Sequence, residues 1–440
     1  MSAPLAAGPA PETARVDGLT HEGEGVVHAG KTAFVRGALP GERVRFRRTR
    51  RRRQHDEAEL LEVLEGSDER RAPRCAHFGV CGGCVLQHLA PQAQLAAKEA
   101  QLRESLLRLA GVAPAAWLPA LTGPAFGYRR RARLGARYVH KKGCVVVGFR
   151  ERAAPYVAQL RGCEVLAPPA GELISPLVDL LGALSIREHV PQIEVAVADN
   201  ATALVLRVLR PPDAADREHL KAFAATHGVR MLLQSGGPSA LEPLTPAPEP
   251  LRYALPAFGL SLEFEPTDFV QVNAAVNNAL VARALELLAP GPEARVLDLF
   301  CGIGNFTLPL ARRAGAVLGL EGESGLIERA RGNAARNGLG NVEFRQADLA
   351  APEQSWARER FSHVLLDPPR SGARELLPAL AGVGAQRVLY ISCHPGSLAR
   401  DVGILVHEQG MRLEAAGVVD MFPHTAHVES LALLSPRAAR

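Results

Sequence analysis

The sequence predicts an α/β protein in three parts: a small N-terminal β-barrel, a mixed β central domain and a C-terminal doubly wound domain. Three observations carry this prediction. Apolar runs between residues 295 and 393 stop repeatedly at polar residues, as the strands of an open parallel sheet do around one crevice. A Gly-x-Gly follows the first of these runs and precedes an apolar helical segment. Short strand-like runs split by Gly30, Gly37 and Gly41 fill residues 15–65, the pattern of a small barrel. The chain has 440 residues, 47% of them hydrophobic, which suffices for two or three cores, and no apolar run reaches the length of a membrane span.

Residues 1–14 are rich in Ala and Pro and are expected to form a disordered tail. The barrel is expected over 15–70, with strands in Gly25–His28, Thr32–Arg36, Arg43–Phe46 and Glu59–Leu64. Arg45, Arg47, Arg48 and Arg50 to Arg53 set seven guanidinium groups within nine residues. Such planar, permanently charged groups suit a phosphate backbone and stack on bases. A solvated hairpin could carry the same charges, and only five of the 51 basic residues are Lys, so part of the run reflects a general preference for Arg. The formal net charge of +5 is modest, so binding to a polyanion should depend on this local patch.

The middle region, 71–265, opens with Cys75-x5-Cys81-Gly-Gly-Cys84. Three thiols within ten residues call for a metal or cluster with one further ligand, and spacing alone leaves zinc and iron–sulfur equally open. Seven cysteines, an odd number, argue against a disulfide framework, and no apolar signal segment precedes them; a reducing cytosol is the expected compartment. Residues 92–110 predict an amphipathic helix with Leu95, Leu102, Leu106 and Leu109 on one side, expected to pack on the C-terminal domain. Strand-like runs at Cys144–Phe149, Ile193–Val197 and Ala203–Leu209 then alternate with Pro-rich turns.

The C-terminal region, 266–440, holds the chemistry. The strand Arg295–Leu299 runs into Phe300-Cys301-Gly302-Ile303-Gly304-Asn305, where glycines let backbone approach a ligand. The next strand ends at Glu321, the placement that grips ribose hydroxyls in doubly wound nucleotide-binding sheets, and the one after it ends at Asp348. No third glycine of a pyrophosphate loop follows and no Gly-Lys-Ser/Thr occurs here, so an adenosine-bearing ligand without phosphates fits best. Val364–Asp367 leads into Pro368-Pro369-Arg370-Ser371-Gly372, and Arg387–Ser392 breaks into Cys393-His394-Pro395-Gly396. Cys393 thus projects from a strand's carboxyl end just before a helix whose N-terminus is expected to favour thiolate.

The order of glycine loop, Glu321, Asp348 and Asp-Pro-Pro resembles class I, Rossmann-like methyltransferases, whose cofactor is S-adenosylmethionine. Asp367-Pro-Pro-Arg-Ser-Gly372, Val388-Leu-Tyr-Ile-Ser-Cys393 and Asp420–Glu429 in turn resemble the ordered signatures of the RNA 5-methyluridine methyltransferases. His394 stands where that family usually has Asn, and Ser397 where Thr is usual. The resemblance makes Cys393 the nucleophile that adds to uracil carbon 6 and Glu429 the base that removes the carbon 5 proton. Asp268–Asn273 looks like the family's Phe-x-Gln-Val-Asn segment, which adds Gln271 to Phe300, Asn305, Glu321, Asp348 and Asp367 as cofactor contacts. Phe269 is equally a platform for the target base or a core residue. His424 and His427 read as loop-positioning residues.

The same resemblance implies a [4Fe-4S] cluster on Cys75, Cys81 and Cys84, with Cys163 as the distant fourth ligand, acting as a structural staple. Glu164 replaces the proline that follows the family's fourth cysteine. The barrel looks like a TRAM domain, an OB-like RNA-binding module. The members that combine TRAM domain, cluster and 23S ribosomal RNA substrate are the most similar, which implies a cytoplasmic, monomeric enzyme acting on RNA, with no DNA or membrane partner. A tRNA uridine methyltransferase is the alternative of the same chemistry; a non-catalytic RNA-binding or ribosome-assembly factor is the alternative of a different class.

Overall fold

The computed structural model describes residues 10–237, 240–246, 249–351 and 354–437. The chain divides into two compact units. The first takes the chain up to Gln101 with Arg150–Tyr156 and Phe422–His427; the second takes Leu102–Phe149, Val157–Met421 and the chain from Val428 on.

In the first unit, β1 (Glu12–Arg15), β2 (Gly18–Leu19), β3 (Glu24–Val27), β4 (Ala33–Arg36), β5 (Arg43–Arg51) and β6 (Asp56–Glu65) form one sheet in the order β1-β5-β6-β4-β3-β2. Val27, Val35, Val44, Phe46 and Ala58 form its core, at alternate positions along their strands as a half-buried sheet requires. The expected N-terminal β domain is present as a half-barrel sheet of six strands whose edges, β1 and β2, do not pair with each other. The disordered tail expected over residues 1–14 does not hold from Glu12 on. Glu12–Arg15 pair antiparallel with Arg43–Phe46, because Thr13 and its neighbours complete the open edge of β5 and Glu12 receives Arg48 Nε at 2.8 Å. Residues 1–9 lie outside the described residues.

The cysteine segment that follows is built from turns: Phe78 N–H donates to Cys75 O, Cys81 N–H to His77 O and Gly82 N–H to Arg150 O. It leads to α1 (Pro91–Ser105), whose Pro occupies the first turn, where its missing N–H costs nothing. A wider π-helical turn, Leu106–Ala110, continues it and is closed by Gly111 at φ 64.

The second unit contains β7 (Ala116–Trp117) and a six-stranded sheet of β8 (Arg131–Val139), β9 (Cys144–Gly148), β10 (Gln192–Val197), β11 (Thr202–Arg207), β12 (Val229–Gln234) and β13 (Leu241–Pro243), ordered β13-β12-β11-β10-β8-β9. The helices α2 (Ile174–Ala183) and α3 (Ala214–His227) accompany it, and a ribbon of β14 (Leu251–Leu255) and β15 (Leu260–Phe264) follows. This is the expected mixed β region, with helices that the Pro-rich sequence did not announce.

After α4 (Ala274–Leu288) come β16 (Arg295–Leu299), α5 (Thr307–Ala311), β17 (Ala316–Glu321), α6 (Ser324–Arg336), β18 (Val342–Gln346), β19 (His363–Leu366), α7 (Leu377–Leu380), β20 (Arg387–Ser392), α8 (Pro395–His407), β21 (Met411–Val419) and β22 (Glu429–Pro436). Their sheet is ordered β18-β17-β16-β19-β20-β22-β21-β7. The strands from β18 to β20 run parallel, and β22 enters antiparallel between β20 and β21. The inner parallel strands are mostly apolar, Val364, Leu365 and Leu366 being fully buried, because helices cover such a sheet, whereas the edge strand β18 is largely polar. The order reverses at β16, which opens a crevice at the carboxyl ends of β16 and β19. The end of the first long helix packs against α8, with His407 Nε2 2.7 Å from Ala110 O.

Candidate active site

Strand register alone gathers most of the expected residues. Leu299 pairs with Leu320 on one side and Leu366 on the other, so Phe300, Glu321 and Asp367 emerge together at the carboxyl end of the sheet. Ser392 pairs with Ser430 across the antiparallel β20–β22 ladder. The next step of that register sets Cys393 opposite Glu429.

Glu429 is 3% exposed, and burial, followed by the charge of Asp367, pushes its carboxyl up to about 8. Burial likewise raises Asp367 to about 7. Cys393, half-buried, is pushed up to about 11, first by desolvation and then by Glu429 and Asp367; its backbone and Arg370 pull the other way. The helix N-terminus therefore does not leave a resting thiolate, contrary to the sequence expectation. Two acids in the same low-dielectric site outweigh the end of a helix dipole.

The turn after Cys393 is held by capping. His394 Nδ1 accepts the Ser397 N–H at 3.1 Å as the N-cap of α8, the role that Asn also fills at helix starts. Gly396 makes room for the ring: a Cβ there would lie 2.9 Å from His394 Cε1. The Asp-Pro-Pro loop is tied down by Asp401, fully buried, whose Oδ2 receives Tyr390 OH at 2.5 Å and Ala373 N–H at 2.7 Å. Gly372, at φ 84, lies against it, and a Cβ would come 2.5 Å from the same oxygen.

The crevice beside this trio is lined by the glycine loop. Gly302 N–H donates to Glu321 Oε2 at 3.2 Å, and Gly322 N–H to Oε1 at 2.7 Å, which fixes the acid at the end of β17. Phe300 adopts φ 65, a left-handed conformation that a side-chain residue takes only where its surroundings enforce it. Asp298, fully buried, binds Thr307 Oγ1 at 2.5 Å through Oδ2, while Oδ1 has no partner. Burial raises this carboxyl to about 7. An unpartnered buried oxygen suits a cationic ligand group at the loop. Gln271 Nε2 donates to Asp367 Oδ2 at 3.4 Å, and Phe269 beside it is 71% exposed, as a stacking platform is and a core residue is not. Asp348 is exposed and accepts Ala350 N–H at 3.0 Å; no described contact joins it to the other site residues.

The family described as tRNA (Uracil-5-)-methyltransferase matches residues 259–437. The 23S rRNA (uracil(1939)-C(5))-methyltransferase RlmD of Alkalilimnicola ehrlichii is 53% identical over 427 residues, 96% of each chain. The protein of the same name from Nitrosococcus oceani is 52% identical over 429 residues, again 96% of each. The chain belongs to the RNA uracil-5-methyltransferase family. The crystal structure of Pyrococcus abyssi tRNA (uracil-54, C5)-methyltransferase in complex with S-adenosyl-L-homocysteine superposes with a TM-score of 0.74 at 24% identity, covering 96% of this chain and 100% of that one, and so shares its fold.

In this family member the arginine run differs from its sequence reading. Arg45 pairs with Glu62, Arg47 with Glu59, Arg48 with Glu12 and Asp56, and Arg52 with Glu57. Across the β5–β6 ladder the acids of β6 meet the arginines of β5, a pairing that sequence order conceals. Among the described residues, Arg50, Arg51 and Arg53 alone of the seven make no ion pair.

Cys75, Cys81 and Cys84 lie in the first unit and Cys163 in the second. Gly83 N–H donates to Cys81 Sγ at 3.4 Å, as amides do to cluster-bound sulfur. Among the described residues no group of three His, Cys, Asp or Glu side chains has the geometry of a metal site. His424 fixes its loop as expected: its backbone oxygen accepts the N–H groups of Val85 and Leu86, and its own N–H donates to Gln94.

Sequence reasoning missed Asp298, Tyr390, Asp401, Asn277 and Tyr253. Asp298 lies inside the strand Arg295–Leu299 and could have been found as an acid within an apolar run. Asn277 and Tyr253 carried no signal, since each reads as an ordinary helix or strand residue.

Proposed function

We propose that the protein methylates carbon 5 of uridine in 23S ribosomal RNA, using S-adenosylmethionine and a covalent adduct between Cys393 and uracil carbon 6. The observation that carries this reading is the register that faces Cys393 with Glu429 beside Asp367. The named substrate of the full-length relatives supports ribosomal RNA.

S-adenosylmethionine supplies an electrophilic methyl group on a sulfonium. Gln271, Phe300, Asn305, Glu321, Asp348 and Asp367 would bind it, with the unpartnered Asp298 Oδ1 suited to its cationic end. The rest of the chemistry belongs to the chain. Cys393 gives up its proton to solvent and its sulfur bonds to carbon 6, sending the π electrons of the ring onto O4. As this enolate collapses, carbon 5 takes the methyl group, whose bond to sulfur breaks with its electrons left on the departing thioether, S-adenosylhomocysteine. Glu429, as carboxylate, removes the carbon 5 proton; the C–H electrons rebuild the double bond and expel the Cys393 thiolate. A thiol at about 11 is about one part in 10⁴ ionised at pH 7, but it forms a more nucleophilic thiolate. Both groups must lose protons and both are raised, so the rate should climb with pH from 6 to 8.

The barrel (15–70) is assigned to RNA binding, 71–265 to the cysteines and 266–440 to methyl transfer. Cys75, Cys81, Cys84 and Cys163 are assigned to a [4Fe-4S] staple, supported by their spacing and the amide donor on Cys81. No step runs through it. Anaerobically purified protein should contain about four iron and four sulfide per chain; stoichiometric zinc instead would reject the cluster. The odd number of cysteines suits a reducing cytoplasm, and we take the enzyme to act there as a monomer on RNA, without DNA or membrane. No described helix is long and apolar enough to cross a membrane.

The test is to map 5-methyluridine in ribosomal and transfer RNA from cells with and without the gene. Loss at a 23S position is expected. Loss only in tRNA would keep the chemistry and overturn the substrate; no loss would overturn the catalytic reading.

A further inference from the structure

We propose that Tyr253 and Asn277 are positioning residues that lock the Asn305 carboxamide beside the glycine loop, so that losing either weakens binding of S-adenosylmethionine rather than slowing methyl transfer. This rests on the S-adenosylmethionine reading above.

Asn305 follows Gly302 and Gly304, both at positive φ, so these two positions of the loop contribute no side chain to hold it. Its side chain is anchored from two other elements. Asn305 Oδ1 accepts Tyr253 OH at 3.0 Å and Asn277 Nδ2 at 2.9 Å, and Asn305 Nδ2 donates to Asn277 Oδ1 at 3.0 Å. Both lone pairs of Oδ1 are then used, and one N–H of the amide is left to point at a ligand.

Both anchors are withdrawn from water, Asn277 at 4% exposed and Tyr253 at 9%. On the same helix, Leu280, Val281 and Ala284 are buried and apolar, so packing alone would favour a hydrophobic residue at 277. A fully paired polar group inside a core fixes one geometry, which a ligand-binding amide needs. Tyr253 stands on the β14–β15 ribbon, and Asn277 in the first turn of α4, six residues after Gln271, which reaches Asp367. Asn305 thus joins the loop to the segment on which the reacting site depends.

The experiment titrates S-adenosylhomocysteine into the full chain by calorimetry, for wild type, Tyr253→Phe, Asn277→Ala, Asn305→Ala and the Asn277→Ala/Asn305→Ala double variant. Loss of one or two buried hydrogen bonds is expected to raise Kd about tenfold in each single variant. In Tyr253→Phe and Asn277→Ala, KM for S-adenosylmethionine should rise in parallel, with kcat at saturation within about twofold. The double variant should bind no worse than Asn305→Ala, because Asn277 acts only through Asn305. Unchanged Kd in Tyr253→Phe and Asn277→Ala, a fall in kcat at constant Kd, or additive losses would overturn the proposal. Should Asn277→Ala fail to fold, Tyr253→Phe decides alone. Wild type that binds no S-adenosylhomocysteine would instead bring down the cofactor reading itself.

Discussion

The β5–β6 hairpin and the carboxyl end of the C-terminal sheet treat acids in opposite ways. On the hairpin, Glu57 meets Arg52 and stays well ionised, its carboxyl held below its usual value mainly by the hydrogen bond from Arg52. In the crevice, Glu429 and Asp367 are enclosed without a comparable cation and rise. Pairing across a solvated ladder neutralises charge and contributes little stability, whereas enclosure stores a proton and tunes reactivity. Part of the run that looked like an RNA patch is consumed in self-pairing, and the site that looked poised as thiolate is held as thiol.

The largest effect should come from removing the nucleophile. Cys393→Ser should lower methylation at least about 10⁴-fold and abolish the covalent adduct with 5-fluorouridine RNA, read on a denaturing gel. Retained turnover would detach the crevice from the chemistry. Next, Glu429→Gln should still form the methylated adduct but release it about 10²- to 10³-fold more slowly in single-turnover assays. Fast release would remove Glu429 as base.

The hairpin side of the contrast is tested by RNA affinity. Replacing Arg50, Arg51 and Arg53 by Ala should weaken binding about tenfold or more at physiological salt and flatten the salt dependence. Replacing Arg45 and Arg47, already paired with Glu62 and Glu59, should cost less than half as much in logarithmic terms. Equal losses would mean that RNA breaks the ladder pairs.

The smallest effect is on stability. The folded-state carboxyl of Glu429 is raised, so its contribution is fully present below the unfolded value near 4.5 and is lost as pH rises to about 8. Glu429→Gln cannot titrate. Its melting temperature should therefore gain on wild type by several degrees between pH 5 and pH 9, and a constant difference would mean that Glu429 is already ionised when folded.

Much of the C-terminal domain was legible because parallel strands leave continuous apolar runs that stop where the crevice begins, as at Leu366-Asp367 and Ser392-Cys393. Glu429 was different: alone it reads as a solvated acid before a strand, and only its motif identified it. Tyr390 and Asp401 could not be assigned, since what makes them matter is one hydrogen bond across packed elements. The strand at Glu12–Arg15 was lost for a similar reason, its partner lying some thirty residues away.

By itself the sequence determined the order of the strand-bearing segments, the crevice, the candidate nucleophile and the cysteine spacing, because these are local in the chain: periodicity, turn residues and short motifs. Tertiary structure alone decided protonation, ion pairing and the anchoring of Asn305. Each of these depends on which groups are brought within a few ångströms by register and packing, and on how much water is excluded when they meet.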